Sequence, residues 1–278
     1  MPTLERFSHD ALRDTVITFR DTMRAHAPGI NRLNVYPVPD GDTGTNMART
    51  LDAVVAELEG APANLESTCD AISHGSLMGA RGNSGVILSQ ILRGLTSTLK
   101  EATEGTGAKV AEALKAASTA AYQAVLKPIE GTILTVVRES ADAAQVSAQQ
   151  GGSLVDVLRA AKIGGKSALD RTPDMLPVLK DAGVVDAGGA GFLLLLDAAL
   201  YVVDGSPLPE PDEGPGPSIE QLDAIAHRHT DGAVDVSELR YEVMFFLDLD
   251  DPLIQSFKEG WSAIGDSIVV VGGDGLWN

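Results

Sequence analysis

Residues 34–47 read N-V-Y-P-V-P-D-G-D-T-G-T-N-M, and the segments flanking them decide the architecture. Before the stretch, Leu12, Val16, Phe19 and Met23 recur at helical spacing; after it, Met47, Leu51, Val54 and Leu58 do the same. A loop with two prolines, two glycines and two aspartates therefore joins helix to helix. Further outward the pattern repeats. Breakers divide the chain up to about residue 205 into eight amphipathic helices, over approximately 9–25, 45–59, 65–79, 84–99, 108–126, 132–149, 153–170 and 187–203. Strand signals are almost absent there, so the fold class is mainly α, a helical bundle or barrel.

Residues 205–217, G-S-P-L-P-E-P-D-E-G-P-G-P, end the helical run, because proline removes backbone donors and fixes φ. This divides the chain into a helical domain (1–205), a Gly/Pro-rich linker (206–217) and the start of a small α/β domain (218–278). In that last part the pattern predicts a helix over 219–227, a β-rich segment over 241–249, a helix over 252–264 and a buried strand over 267–272. Two candidate strands are few for a sheet, and the unit is expected to be partial.

Composition narrows the function classes. Lys plus Arg number 21 against 39 Asp plus Glu, a formal charge of -18, which repels phosphate backbones and argues against nucleic-acid partners. A lone cysteine, Cys69, forms no intrachain disulfide, and the N-terminal residues lack the basic and apolar regions of a signal peptide, so a cytoplasmic location is expected. The most apolar stretch, residues 190–203, contains Asp197 and falls short of the roughly 20 residues a membrane span needs. It is expected to be a buried helix, without stable membrane insertion.

Four polar, glycine-bearing segments stand immediately before helices. In the first, Asp40 and Asp42 are separated by one glycine and can point to a common centre that suits Mg²⁺, and residues 43–46 lead into a helix whose free N–H groups attract anions. A hydrophilic turn with a helix cap is the competing reading. A calcium-binding EF-hand loop starting at Asp40 fails, because its sixth and twelfth positions hold Thr45 and Leu51. A phosphatase-type D-x-D-x-T pattern fails at Gly44. The second segment, G-A-R-G-N-S-G at 79–85, reads as a phosphate cradle or as a tight helix connection. The others are Glu130-Gly131-Thr132 and the run D-A-G-G-A-G at 186–191. If these helix starts converge, they make an anion site.

Other nucleotide signatures are weak. Residues 160–167, A-A-K-I-G-G-K-S, lack the first glycine of a P-loop and read as helix interior, and the run at 186–191 follows no strand, so it is no dinucleotide fingerprint. None of the five histidines shows metal-ligand spacing with Cys69.

Together, the stretch at 34–47, G-A-R-G-N-S-G-V-I-L-S-Q at 79–90, E-G-T-I-L-T-V at 130–136 and T-P-D-M-L-P-V-L-K-D-A-G-V-V-D-A-G-G at 172–189 resemble the dihydroxyacetone kinase L-domain family. Within it they are most similar to the N-terminal domain of fatty acid kinase A-type proteins. The resemblance spans about residues 7–204 and implies an eight-helix antiparallel barrel binding Mg-ATP at one end. It implies metal-binding and catalytic roles for Asp40 and Asp42, with Asn34 standing where the family has a third metal aspartate. It further implies phosphate contacts from Thr43, Gly44, Thr45, Asn46, Asn83 and Ser84, and nucleotide contacts from Gly131, Thr132, Asp186 and Gly188. Ala187 replaces the proline of the dihydroxyacetone branch. The implied reaction moves the γ-phosphoryl of ATP, with two Mg²⁺ ions, onto a fatty acid carboxylate presented by a DegV-type acyl-binding protein. The resemblance is also compatible with a homodimer. In several relatives a cysteine in the middle domain resembles part of a metal site; the comparable position here is Glu242. The alternatives are a phosphoryl-donor subunit of a dihydroxyacetone-type kinase and a non-catalytic nucleotide-binding regulatory module.

Overall fold

The structure, a computed structural model, describes residues 3–101, 105–212, 214, 243–264, 268–273 and 275–278. Its helices are α1 (His9–Leu33), α2 (Thr43–Gly60), α3 (Leu65–Gly79), α4 (Gly82–Lys100), α5 (Gly107–Ala124), α6 (Ile133–Gln149), α7 (Leu154–Met175), the short α8 (Pro177–Ala182), α9 (Ala187–Asp204) and, after the linker, α10 (Ile254–Trp261). The expected boundaries hold closely from α2 to α6. Two helices run past their expected ends at 25 and 170: α1 continues through Pro28 to Leu33 and α7 through Pro173 to Met175. A proline removes one N–H bond. In α1 that loss is offset by packing, since Ile30 is buried and Gly44 of α2 presses on Ala27.

Each helix packs on its successor from α1 to α7, and α9 fits between α7 and α1 to close the ring. Short connections reverse the chain at each step, which gives the expected eight-helix antiparallel barrel, with α8 lying in the last connection. Apolar faces meet in one core that includes Phe19, Met23, Met47, Leu51, Leu88, Ile91, Leu114 and Phe192. Helix α9 is long and apolar enough to cross a bilayer, yet 78% of it is buried inside the protein. It is the core helix anticipated from its sequence.

The C-terminal part contains a small antiparallel sheet in the order β1 (Leu247–Asp248), β3 (Leu276–Trp277), β2 (Gly272–Gly273). The expected strand over 267–272 is reduced to a single bridge, Val269 to Val125, followed by β2. This segment lies against the barrel: the Val270 N–H donates to the Ala124 carbonyl at 3.1 Å, and Val271 packs with Ala80, Val86 and Ala124. The Gly/Pro-rich segment after α9 also follows the barrel, with Arg32 donating to the Asp212 carbonyl. The expected helix over 219–227, the beginning of the β-rich segment and Glu242 lie outside the described residues.

Candidate functional site

In an antiparallel ring, alternate helices start at the same end. Here those helices are α2, α4, α6 and α9, the four preceded by polar, glycine-bearing segments. Local contacts show the convergence. The Ser84 hydroxyl lies 3.5 Å from the Thr43 carbonyl, and a side chain at Gly82 would collide with the Asn46 amide. A Cβ at Gly191 would sit 2.7 Å from the Met47 sulfur, joining the starts of α2 and α9.

Helix starts leave N–H groups that need partners. Six helices of the ring meet this need with a side-chain cap: Ser8 for α1, Asn64 for α3, Thr106 for α5, Thr132 for α6, Ser153 for α7 and Asp186 for α9. The two whose own cap residue makes no such bond are α2, headed by Asp42, and α4, headed by Arg81. These are the helices opened by the two-aspartate loop and by the 79–85 segment, and they are neighbours at the same end of the barrel.

Asp42 occupies the cap position of α2, with φ -121° and ψ -3°, but makes no capping hydrogen bond. Its carboxylate is thus not used as the cap-and-turn reading requires. Asp40 is exposed, and its Oδ1 accepts a hydrogen bond from Asn34 Nδ2 at 2.5 Å; the same nitrogen reaches the Val38 carbonyl at 3.3 Å. Asn34 is buried at the end of α1 and presents its amide nitrogen to Asp40 in this arrangement, acting as a brace. Among the described residues no three His, Cys, Asp or Glu side chains gather into a metal cluster. Two carboxylates at a helix start that its own cap residue leaves open nevertheless fit Mg²⁺, which is commonly bound through one or two carboxylates plus substrate phosphates.

Several loop residues have packing partners that the sequence reading missed. Asn31 of α1 donates from Nδ2 to the Thr45 hydroxyl at 2.9 Å and accepts the Thr45 N–H on Oδ1 at 3.1 Å, so one early N–H of α2 is already occupied. A Cβ at Gly44 would lie 2.6 Å from the Ala27 carbonyl oxygen, which ties this glycine to the close approach of α1 and α2. Thr50, fully buried, accepts the Arg81 N–H at 3.3 Å and donates to the Asn46 carbonyl at 2.8 Å, locking the α4 start to α2. No spacing rule singles out Asn31 or Thr50. Asn83 and Ser84 are half-buried on the first turn of α4.

At the α6 start, Gly131 has φ +83°, and its N–H donates to the Thr135 hydroxyl at 2.8 Å. Thr135 in turn donates to Glu130 at 2.6 Å, and Glu130 also receives Tyr122 and Arg138. Burial pushes the Glu130 carboxyl up, but these hydrogen bonds outweigh it and hold the group below its ordinary range. Asp186 is buried, and its Oδ2 accepts the Gly189 N–H at 2.7 Å. Burial pushes its carboxyl up to about 6, against the opposing pull of the Gly189, Ile133 and Gly188 N–H groups. Since Ile133 begins α6, one carboxylate serves two helix starts. Gly188 lies between them, where a Cβ would be 3.2 Å from that of Ile133.

Other reactive groups stand apart. Cys69 is buried, and burial pushes its thiol up to about 12. Lys166, of the P-loop-like run, is inside α7 and paired with Asp170.

The DAK2 domain matches residues 37–201. Protein YloV of Bacillus subtilis is 35% identical over 271 residues, covering 95% of this chain and 49% of the relative. A protein of Staphylococcus saprophyticus is 36% identical over 269 residues, covering 93% of this chain and 48% of its own length. The chain therefore spans about half the length of these curated relatives. Among solved structures, the dihydroxyacetone kinase of C. freundii superposes with a TM-score of 0.50 at 17% identity, over 68% of this chain and 34% of that one, and so shares its fold. With the domain match extending from the loop before Asp40 to the end of α9, the chain belongs to the DAK2 domain family.

Proposed function

We propose that this chain is the Mg-ATP-binding unit of a phosphotransferase. The observation that carries the reading is the coincidence of the two uncapped helix starts, α2 and α4, with a loop bearing Asp40 and Asp42. Free N–H groups at neighbouring helix starts suit phosphate oxygens, and two carboxylates beside them suit a phosphate-bound cation. Membership in the DAK2 family and the fold shared with a dihydroxyacetone kinase support the same class.

In this reading Asp40 and Asp42 hold Mg²⁺, with Asn34 bracing Asp40. The metal supplies neutralisation of phosphate charge when bound, which is a large part of what phosphoryl transfer requires. The N–H groups of Thr43 and Gly44, with Asn46 beside them, and of Asn83 and Ser84 orient the phosphates. Gly131, Thr132 and Gly188 approach the rest of the nucleotide. Asp186 holds the starts of α6 and α9 together beneath it.

For the acceptor we favour a fatty acid carboxylate presented by a DegV-type acyl-binding protein, giving acyl phosphate and ADP in the cytoplasm. The forms T-G-T-N at 43–46 and D-A-G at 186–188 support this branch over dihydroxyacetone. The domain division at 205/206 belongs to the same proposal, with the site confined to the helical part. Calorimetric titration of ATP into the chain, with Mg²⁺ and then with EDTA, tests the binding step. Absence of Mg-dependent binding would remove the reading. Binding followed by acyl phosphate formation with the partner selects the fatty acid branch; binding without transfer to either acceptor selects a regulatory nucleotide module.

A further inference from the structure

A second concavity lies on the side of the barrel. Helices α4 and α5 approach closely, since a Cβ at Gly94 would be 2.5 Å from the Ala117 Cα. Beside this contact the short side chains of Ala116, Ala120 and Ala124 leave a groove. Val270, Val271 and Trp277 cover one side of it, leaving a half-open groove of about 750 Å³, within the range of small-molecule sites. The roof is fastened at both ends, by the Val270–Ala124 hydrogen bond and by Arg93, which donates to the Gly272 carbonyl.

The charges around this cavity are unequal. Its ionisable lining is Arg93, Glu112, Lys115 and Lys258. Glu112 is paired with Lys109 at 2.9 Å, Lys115 with Asp142 at 3.0 Å, and Arg93 is engaged with the roof. Lys258 of α10 is half-buried and has no acidic partner among the described residues; burial lowers its ammonium pKa with nothing opposing. In a chain with a net charge of -18, an ammonium facing a cavity whose one lining carboxylate, Glu112, is already paired is an exception. A desolvated charge calls for a counter-charge, and the alanine, valine and tryptophan walls call for apolar surface.

We propose that the groove between α4 and α5, roofed by the C-terminal segment, binds an amphipathic monoanion: a carboxylate with an aliphatic or aromatic body. The carboxylate pairs with Lys258 and the body lies along Ala116, Ala120, Val271 and Trp277. None of the lining residues belongs to the α2/α4 site, so the inference stands whether or not that site binds nucleotide.

The chain has two tryptophans, and the other, Trp261, meets Phe245 and Phe257 in tilted ring contacts and is not part of the lining. In a Trp261→Phe chain, Trp277 fluorescence therefore reports on the cavity. Titrations with octanoate, octan-1-ol and octylammonium separate charge from apolar contact. Octanoate is expected to give a saturable change, octanol at least tenfold weaker binding, and octylammonium none. Lys258→Met should weaken octanoate about tenfold without affecting octanol, while Lys258→Arg keeps it. Ala120→Phe, with helix content checked by circular dichroism, should abolish both. Equal affinity for octanoate and octanol, indifference to Lys258→Met, or no saturable octanoate binding by the folded chain would each overturn the proposal.

Discussion

The amide nitrogen of Asn34, at the end of α1, lies 2.5 Å from Oδ1 of Asp40 in the loop that opens α2. This contact joins the barrel wall to the candidate metal site, and it reverses sign in Asn34→Asp. A buried carboxylate would then face another, and a donor to a charged group would be lost. In EDTA the variant is expected to lose ~1–3 kcal/mol of stability. In saturating Mg-ATP the loss should shrink, because a cation can bind the new pair. Thermal unfolding under both conditions provides the check; equal losses would remove this corner from the metal site.

Asp42 heads α2 without capping it. Asp42→Asn should therefore leave nucleotide-free stability within roughly 0.5 kcal/mol, the range of surface substitutions without special contacts. Mg-ATP affinity should drop at least tenfold, and calorimetry on the same sample reads that directly. A variant that melts early without nucleotide and binds normally would restore the structural-turn reading.

Asp186 predicts a pH signature. Its folded pKa, about 6, lies above the ordinary carboxylate value of 3.8, so the folded state holds the proton more tightly. Its contribution to stability is fully present below the unfolded pKa and is lost as pH rises through about 6. Asp186→Asn cannot titrate. The stability of the natural chain relative to this variant should thus decline by roughly 2 kcal/mol between pH 4.5 and 7.5. Urea unfolding of both proteins across that range measures the difference; a flat line would assign the charge-stabilising N–H groups the upper hand over burial.

How far the fold was legible follows from the kind of force involved. Apolar spacing such as Met47, Leu51, Val54 and Leu58 records burial on one face, and it located all eight ring helices. The end of α1 was less legible, because Pro28 weakens a helix locally while packing of its last turns is a tertiary effect. The convergence of four glycine-bearing helix starts was readable as a condition, and the alternation of a closed ring meets it. The contacts that shape the site were not readable. Asn31 reaches Thr45 across 14 positions and Asp186 reaches the start of α6 across 53, distances at which no periodicity operates. The absence of a cap at α2 was equally hidden, since aspartate before a helix ordinarily signals one.

The last prediction concerns the boundary at 205/206. The ring closes through α9 and α1, both inside residues 1–205, so a fragment ending there keeps every helix of the barrel. It loses the Val270 and Val271 side chains, which are 7% and 2% exposed in the intact chain, and with Val271 the cover over Ala80, Val86 and Ala124. Burying a valine contributes about 1.5–3 kcal/mol. Because the newly bared Ala80, Val86 and Ala124 side chains are small and the fragment's own core is intact, a net loss of roughly 2–4 kcal/mol is expected, equivalent to a Tm lower by about 5–15 °C for a domain of this size. Unfolding should stay cooperative, and Mg-ATP affinity should remain within about threefold, since Asp40, Asp42 and the α2 and α4 starts lie far from the cut in sequence and face the barrel end. Residue-averaged helix content, the melting profile and a calorimetric titration of the fragment test these points together. A fragment that fails to fold where the full chain is stable would place the C-terminal segment inside the folding unit, and the division into a helical domain and a separate α/β domain would have to be abandoned.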